Sequence, residues 1–140
     1  MATTKIFPIT ATVGSAIAYI AAAAKTDNGR LISTFMCSRE PSKAAKEFAE
    51  VTATGTGRST VIAQHFIMSF KPGEVTPERA MEIGKEMCEK YLKDQYQYYL
   101  AVHTDKGHVH LHCIFNNTNL INGLTFETLE TVSYTHLTLP

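Results

Sequence analysis

The sequence predicts an α+β domain in which helices pack on one side of a largely antiparallel β-sheet. Three observations predict it. Segments of strand-forming and helix-forming composition alternate along the chain, and the last two strands are joined by a tight turn, which makes them an antiparallel hairpin. The 140 residues, 44% of them hydrophobic, match a single domain that can bury a core without disulfides.

The first half alternates short strands and helices. Pro8 lacks a backbone donor, so the first strand is expected at a sheet edge. Val13, Ile17 and Ile20 recur at helical spacing, and Pro41 suits the first turn of the next helix. The predicted elements are a strand over 3–9, a helix over 13–24, a strand over 30–36 and a helix over 41–53.

The second half contains the clearest helix and the hairpin. Thr76 is a good N-cap, Pro77 fits the first helical position, and Glu78 complements the helix dipole. The residues 104–107, Thr-Asp-Lys-Gly, predict a turn. The predicted elements are a strand over 59–70, a helix over 76–94 and strands over 95–103 and 108–116, which gives the order β-α-β-α-β-α-β-β.

The zero net charge conceals an uneven distribution of charge along the sequence. Thirteen basic and thirteen acidic residues give zero formal net charge, which alone argues against strong nonspecific binding to nucleic acid. However, residues 1–75 hold eight basic and five acidic residues, whereas residues 76–140 hold five and eight, so a local basic groove is compatible with the total. Three separated cysteines suit a reducing compartment, and the longest apolar run is too short to span a bilayer.

The segment from His103 to Asn116 is the most informative. Because strand side chains alternate, His108, His110 and His112 point to one face of the sheet, and an apolar set that includes Leu111 points to the other. If the turn pairs His103 with His108, His103 lies on the same face, diagonal to His110. The spacing therefore predicts that His103, His110 and His112 converge on one ion.

A metal ion explains the clustered imidazoles better than separate structural roles do. A lone histidine is usually a surface residue or a hydrogen-bonded core residue, but clustered imidazoles repel one another when protonated, and a metal binds them neutral. Three histidines leave open coordination positions, as in catalytic sites. Imidazoles suit Zn, Mn, Co or Ni, and Mg or Mn bound together with a phosphate is expected in the cell. Asp105 is expected to orient His103, or simply to form the turn.

These residues resemble motif III of plasmid-mobilisation relaxases of the MobA/VirD type, in the HUH endonuclease superfamily. There, two histidines flanking one hydrophobic residue hold the metal with an upstream histidine, as do His110, His112 and His103 here. The resemblance covers about residues 4–127. It extends to Tyr19-Ile20 with Lys25-Thr26, and to the segment 64–70 with Pro72-Gly73-Glu74.

The resemblance implies an HUH palm with an RRM-like sheet and a metal-dependent relaxase in the bacterial cytoplasm. Such an enzyme nicks one DNA strand at a plasmid transfer origin and leaves a tyrosine, here Tyr19, on the new 5′ phosphate. Its implied partners are single-stranded or supercoiled plasmid DNA, accessory mobilisation proteins and a secretion-system coupling protein. Residues 1–131 would be the catalytic domain, cut short, and residues 132–140 a tail of doubtful origin.

Several assignments stay open at this stage. Without the resemblance, Tyr19 on an amphipathic helix is more often simply packed; Tyr99 is a rival nucleophile, predicted to lie opposite His112, and a candidate for stacking on bases. Candidate positioning or substrate-binding residues are Asp105, His108, Asn116, His65 and Glu74. Candidate DNA contacts, if the fold gathers them at the histidines, are Lys25, Arg30, Arg58, Lys71 and Tyr99. The alternative functions are a three-histidine zinc hydrolase of small molecules and a non-catalytic binder of metal or nucleic acid.

Overall fold

The computed structural model describes residues 2–56, 59–105 and 107–126. Its element order matches the predicted order. The elements are β1 (Thr3–Ile9), α1 (Val13–Ile20), β2 (Ile32–Phe35), α2 (Pro41–Ala53), β3 (Ala63–Ser69), α3 (Pro77–Leu92), β4 (Tyr98–His103) and β5 (His110–Asn116).

The five strands form one antiparallel sheet in the order β1-β3-β5-β4-β2. The edge position expected for β1 is confirmed: Pro8 lies opposite Gln64 of β3, the one strand paired with β1 in the sheet. The last strand in sequence, β5, lies at the centre of the sheet, between β3 and β4. Side chains of β5 are therefore flanked on both sides by the side chains of neighbouring strands.

The predicted α+β class is confirmed, but the helices cover both faces of the sheet rather than one. Helix α3 packs on the face that carries Leu100, Leu111 and Cys113, while α1 and α2 pack on the other through Ile17 and Phe48. This second face is possible because Ile9, Ala63, Tyr99, Ala101 and Ile114 make part of it apolar. The histidines occupy the remainder of the same face.

The register of the hairpin differs from the prediction. His103 lies directly opposite His110, not His108, and Ala101 lies opposite His112. Strand β5 begins at residue 110 because the connection from β4 is longer than a tight turn at residues 104–107. Because the shift is two residues, each side chain keeps its predicted face, and His103, His110 and His112 share one face. Tyr99 lies opposite Ile114 instead of His112.

Helix α1 ends earlier than the alanine run predicts. It stops at Ile20, and turns that include Thr26 lead to Leu31, with Asp27 and Asn28 at positive φ. The buried Thr26 hydroxyl donates to the Ala22 carbonyl, which holds this connection against the domain. Tyr19 is thereby placed in the last turn of α1, not in the middle of a longer helix.

Within the described part of the chain, the structure contains no helix long and apolar enough to cross a membrane.

The core between α3 and the sheet predicts a large loss of stability for Leu100→Ala. Leu100 is fully buried, and its methyl groups pack directly against Gly84 of α3. A Cβ added to Gly84 would lie 3.0 Å from them, so the removal of this side chain leaves a cavity beside α3. We expect the free energy of unfolding to fall by about 2–5 kcal/mol, measured by urea denaturation. Ile121→Ala, at a side chain that is 73% exposed, should change it by less than about 0.5 kcal/mol. An equal loss of stability in Leu100→Ala and Ile121→Ala would contradict this packing.

Candidate active site

A pocket of about 260 Å³ opens on the histidine-bearing face of the sheet. It lies where β1, β3, β5 and β4 meet the end of α1. Its lining combines imidazoles, one carboxylate, two lysines, two hydroxyls and one tyrosine: Thr3, Lys5, Tyr19, Lys25, Ile67, Ser69, His103, Asp105, His110 and His112. The pocket is thus the place where the predicted histidines and the predicted nucleophile come together.

The histidines lie side by side because of the sheet register. The ring centroids of His103 and His112 are 4.2 Å apart, and those of His110 and His112 are 6.2 Å apart with nearly parallel planes. His65 of β3 joins them, with its Nε2 3.0 Å from Nδ1 of His112. His108 closes the other end, with its Nε2 2.8 Å from Nε2 of His110. The five imidazoles therefore form one continuous cluster in which His112 lies beside His65, His103 and His110.

Tyr19 reaches the pocket through the way α1 is anchored. Ile17 and Ile20 are fully buried against the sheet, and His103 donates from Nε2 to the Ile20 carbonyl oxygen over 2.8 Å. This bond satisfies a carbonyl of the last helical turn, which has no partner within the helix. Tyr19 is left 53% exposed at the rim, its ring centroid 6.3 Å from that of His103. The ammonium of Lys25 lies 3.8 Å from the centroid of the tyrosine ring.

Burial keeps the imidazoles of His65 and His112 neutral. Desolvation, with a smaller effect of the His103 charge, lowers the pKa of His65 to about 4. Desolvation also lowers the pKa of His112 to about 2, aided by the neighbouring charges of His103, His65, His110 and Lys25. Both rings are therefore unprotonated at neutral pH. A neutral imidazole is the form that binds a metal ion.

The donor chemistry of the pocket fits a divalent metal ion, since three imidazoles and the carboxylate of Asp105 share its lining. The present side-chain conformations do not converge on one point. Among residues 2–56, 59–105 and 107–126, no group of three or more His, Cys, Asp or Glu side chains is arranged to hold one ion. The bonds to Ile20, His65 and His108 each occupy one of the two nitrogens of a ring. Ligation by these histidines stays a prediction.

The structure moves two predicted residues away from any substrate. Tyr99 is fully buried under α1 and α2, and its hydroxyl donates to the Arg39 carbonyl, so it is available neither for base stacking nor as a nucleophile. Asn116 is also fully buried and donates to the carbonyl of Phe48 and the side chain of Gln97. The alternation of strand side chains places Tyr99 and Asn116 on the histidine face, but α1 and α2 cover that part of the face.

The other predicted residues divide between the pocket and the remaining surface. Lys25 and Asp105 line the pocket, and His65 and His108 hydrogen-bond its histidines. Three lie outside its lining. Arg30 is bound by Asp27 and by Glu78 of α3, Lys71 is exposed, and the carboxylate of Glu74 accepts a hydrogen bond from the Lys71 backbone. Arg58 lies outside the described residues.

Sequence reasoning missed the contribution of β1. Thr3 and Lys5 line the pocket from this edge strand, opposite Ser69 and Ile67 of β3. The alternation of Thr3, Lys5 and Phe7 is visible in the sequence and places them on one face. What the sequence does not show is that β1 pairs with β3, which brings this face beside β5.

Comparison with known proteins agrees with the histidine motif. Residues 19–137 match the family model described as relaxase, MobA/VirD2-like, nuclease domain. The chain is 39% identical over 70 residues to the group II intron-interrupted relaxase LtrB of Lactococcus lactis subsp. cremoris, which covers 49% of this chain and 12% of that protein. It is 40% identical over 84 residues to the protein rlx of Staphylococcus aureus, covering 59% of this chain and 26% of that one. The chain thus matches only part of these longer relatives.

The depressed pKa values of His65 and His112 predict that acid destabilises the metal-free protein. Both pKa values lie below the ordinary histidine value of 6.5, so between pH 6.5 and about 4 the unfolded state binds more protons, and the free energy of unfolding falls as pH falls. The slope is at most about 1.4 kcal/mol per pH unit for each histidine. Urea denaturation in EDTA at several pH values measures it. His112→Asn should flatten the slope, and an unchanged slope would contradict the burial of a neutral His112.

Proposed function

This chain belongs to the MobA/VirD2-like relaxase family, and from that premise we propose that it is a DNA strand transferase that uses Tyr19 as its nucleophile. The observation that supports this role best is the position of Tyr19, exposed at the rim of the pocket that His103, His110 and His112 line. A tyrosine hydroxyl beside a pocket lined by imidazoles and lysines is an arrangement suited to phosphodiester transesterification.

The proposed reaction exchanges one phosphoester for another. The Tyr19 oxygen attacks the scissile phosphorus, the bond between phosphorus and the 3′ oxygen breaks, and the leaving 3′ oxygen takes a proton from solvent to become a hydroxyl. The phenol proton passes to solvent at the exposed rim. The product is a 5′-phosphotyrosine that keeps the phosphoester for later rejoining of the strand. Lys25, whose ammonium lies over the ring, favours the negative charge that develops on the phenol oxygen.

A divalent ion, Mg or Mn in the cell, would be held by His103, His110 and His112, with Zn, Co or Ni as possible replacements. It would supply positive charge to a phosphate oxygen. The protein's own residues do the positioning: His103 holds the end of α1 at the pocket, and His65 and His108 orient the rings of His112 and His110. Asp105 lies at the same pocket, where a carboxylate can orient an imidazole.

The proposed substrate is one strand of plasmid DNA at a transfer origin, presented as single-stranded or supercoiled DNA in a bacterial cytoplasm. Accessory mobilisation proteins and a secretion-system coupling protein are the further partners proposed. The proposal draws on two descriptions: LtrB is named a relaxase, and the matching family model is described as a relaxase nuclease domain. Residues 1–131 are proposed as the catalytic part of a longer protein, since the matched segments make up small fractions of LtrB and rlx.

Tyr19→Phe should abolish covalent capture of DNA. Because the origin sequence is unknown, the chain is incubated with a random-sequence single-stranded DNA library and Mn²⁺, and denaturation-resistant adducts are isolated and sequenced. Wild-type protein should yield adducts enriched in one sequence. Tyr19→Phe lacks the attacking oxygen and should reduce the yield by at least about a thousandfold, the scale of losing a nucleophile. Tyr91→Phe, on α3 and remote from the pocket, is the matched control and should retain the adduct.

Each other outcome is decisive. Adducts that persist in Tyr19→Phe would overturn the assignment of Tyr19. If the wild type formed no adduct but hydrolysed small esters when loaded with zinc, the three-histidine hydrolase would replace the transferase. Specific DNA binding without any adduct, at every metal concentration, would make the protein a non-catalytic binder.

Removing a proposed ligand should weaken metal binding even without DNA. We expect His112→Gln to raise the Kd for Mn²⁺ by at least about tenfold in isothermal titration calorimetry, because one imidazole donor is lost. Asp27→Asn, at an exposed carboxylate paired with Arg30 outside the pocket, should leave the Kd unchanged. Equal affinities in the wild type and His112→Gln would contradict ligation by His112.

A further inference from the structure

The edge strand β1 extends the pocket along the sheet with a cation and an aromatic ring. Thr3, Lys5 and Phe7 lie on the face that carries the histidines, since Thr3 and Lys5 line the pocket and Phe7 contacts His65. Successive members of this set are about 6.6–6.8 Å apart along the strand. Together they make a row along β1 that starts at the pocket and extends to the ring of Phe7 beside His65.

Phe7 is unusual among the aromatic residues of the described strands because the residue is 41% exposed. Its centroid lies 4.8 Å from that of His65, with the planes tilted by 47°. One side of the ring is therefore supported by a buried residue, while another part remains open to a ligand. On the opposite edge strand, by contrast, Phe35 stacks on Tyr98 at 5.7 Å within the protein.

We propose that β1 binds the single DNA strand beside its cleavage point, with Lys5 on a backbone phosphate and Phe7 stacked on a base. This inference rests on the proposed function and deepens it, because it states where the strand lies relative to Tyr19. The scissile phosphate occupies the histidine pocket, and the flanking nucleotides follow β1.

Two features of this face favour nucleic acid over an apolar partner. Lys5 and Lys25 both line the pocket, together with the hydroxyl-bearing residues Thr3 and Ser69, so its rim is suited to phosphate oxygens. An aromatic ring adjoining a cationic groove is the combination that binds single strands, in which bases stack on the ring whatever their sequence. A duplex does not fit this role, because its bases are already stacked on one another.

The chain contains no tryptophan, so Phe7→Trp introduces a unique fluorophore at the proposed stacking position. The variant is made in the Tyr19→Phe background and studied in EDTA, so neither a covalent product nor a metal contributes. The probe is an oligothymidylate of about 12 nucleotides, within the site size of single-strand binders, and its control is an abasic strand of equal length.

The expected result is saturable quenching of the tryptophan emission of Phe7→Trp by oligothymidylate, with at least about threefold weaker binding of the abasic strand. Phe35→Trp, in the same background, is the matched control and should show no quenching, since this ring is on the other edge strand and stacked on Tyr98. Lys5→Gln should raise the Kd and lower the slope of log K against log salt by about one phosphate contact, or 0.7.

Three results would overturn the proposal. The first is unchanged tryptophan emission of Phe7→Trp while fluorescence anisotropy shows that the strand binds. The second is equal quenching by both strands. The third is emission of this variant already protected from acrylamide without DNA, which would mean that another part of the chain covers position 7. The adduct assay is independent: adducts without quenching would refute only the role of β1, and quenching without adducts would refute only the transferase.

Discussion

The hydrogen bond from His103 to the Ile20 carbonyl joins the end of β4 to the end of α1, and the site depends on it. Both groups are buried and both need a partner, since an unpaired carbonyl at a helix end or an unpaired buried imidazole costs free energy. The bond satisfies the two together. It also fixes the last turn of α1, and with it Tyr19, beside the imidazoles of the neighbouring strands.

The sheet face beneath α1 is divided into two parts with different chemistry. Under the helices it is apolar, and it packs Ile17 and Phe48 against Ala101 and Ile114. Beyond the end of α1 it carries the cluster of imidazoles, in which burial lowers the pKa of His65 and His112. Zero net charge conceals a similar division, because Lys5 and Lys25 line the pocket, while the acidic helix α3 packs on the opposite face of the sheet.

Local signals predicted much of this structure, and long-range pairing determined the rest. The caps of α3, the alternation in β5 and the effect of Pro8 act within a few residues, so the element order and the shared face of the histidines could be read from the sequence. Burial of Tyr99 and Asn116 depends on where α1 and α2 pack, and the role of Lys5 depends on β1 pairing with β3. No short segment encodes these contacts. The hairpin register also differs by two residues from the one that the turn signal at 104–107 predicts.

The most direct test of the account is to locate the nucleotide on the protein. After the adduct forms, nuclease and trypsin digestion leaves a short nucleotide on one peptide, which mass spectrometry identifies. The tryptic peptide from Ile6 to Lys25 contains Tyr19 as its single tyrosine. The account predicts the nucleotide mass on this peptide, with fragmentation placing it at Tyr19. A nucleotide on the peptide that contains Tyr96, Tyr98 and Tyr99, or on any other, would contradict it.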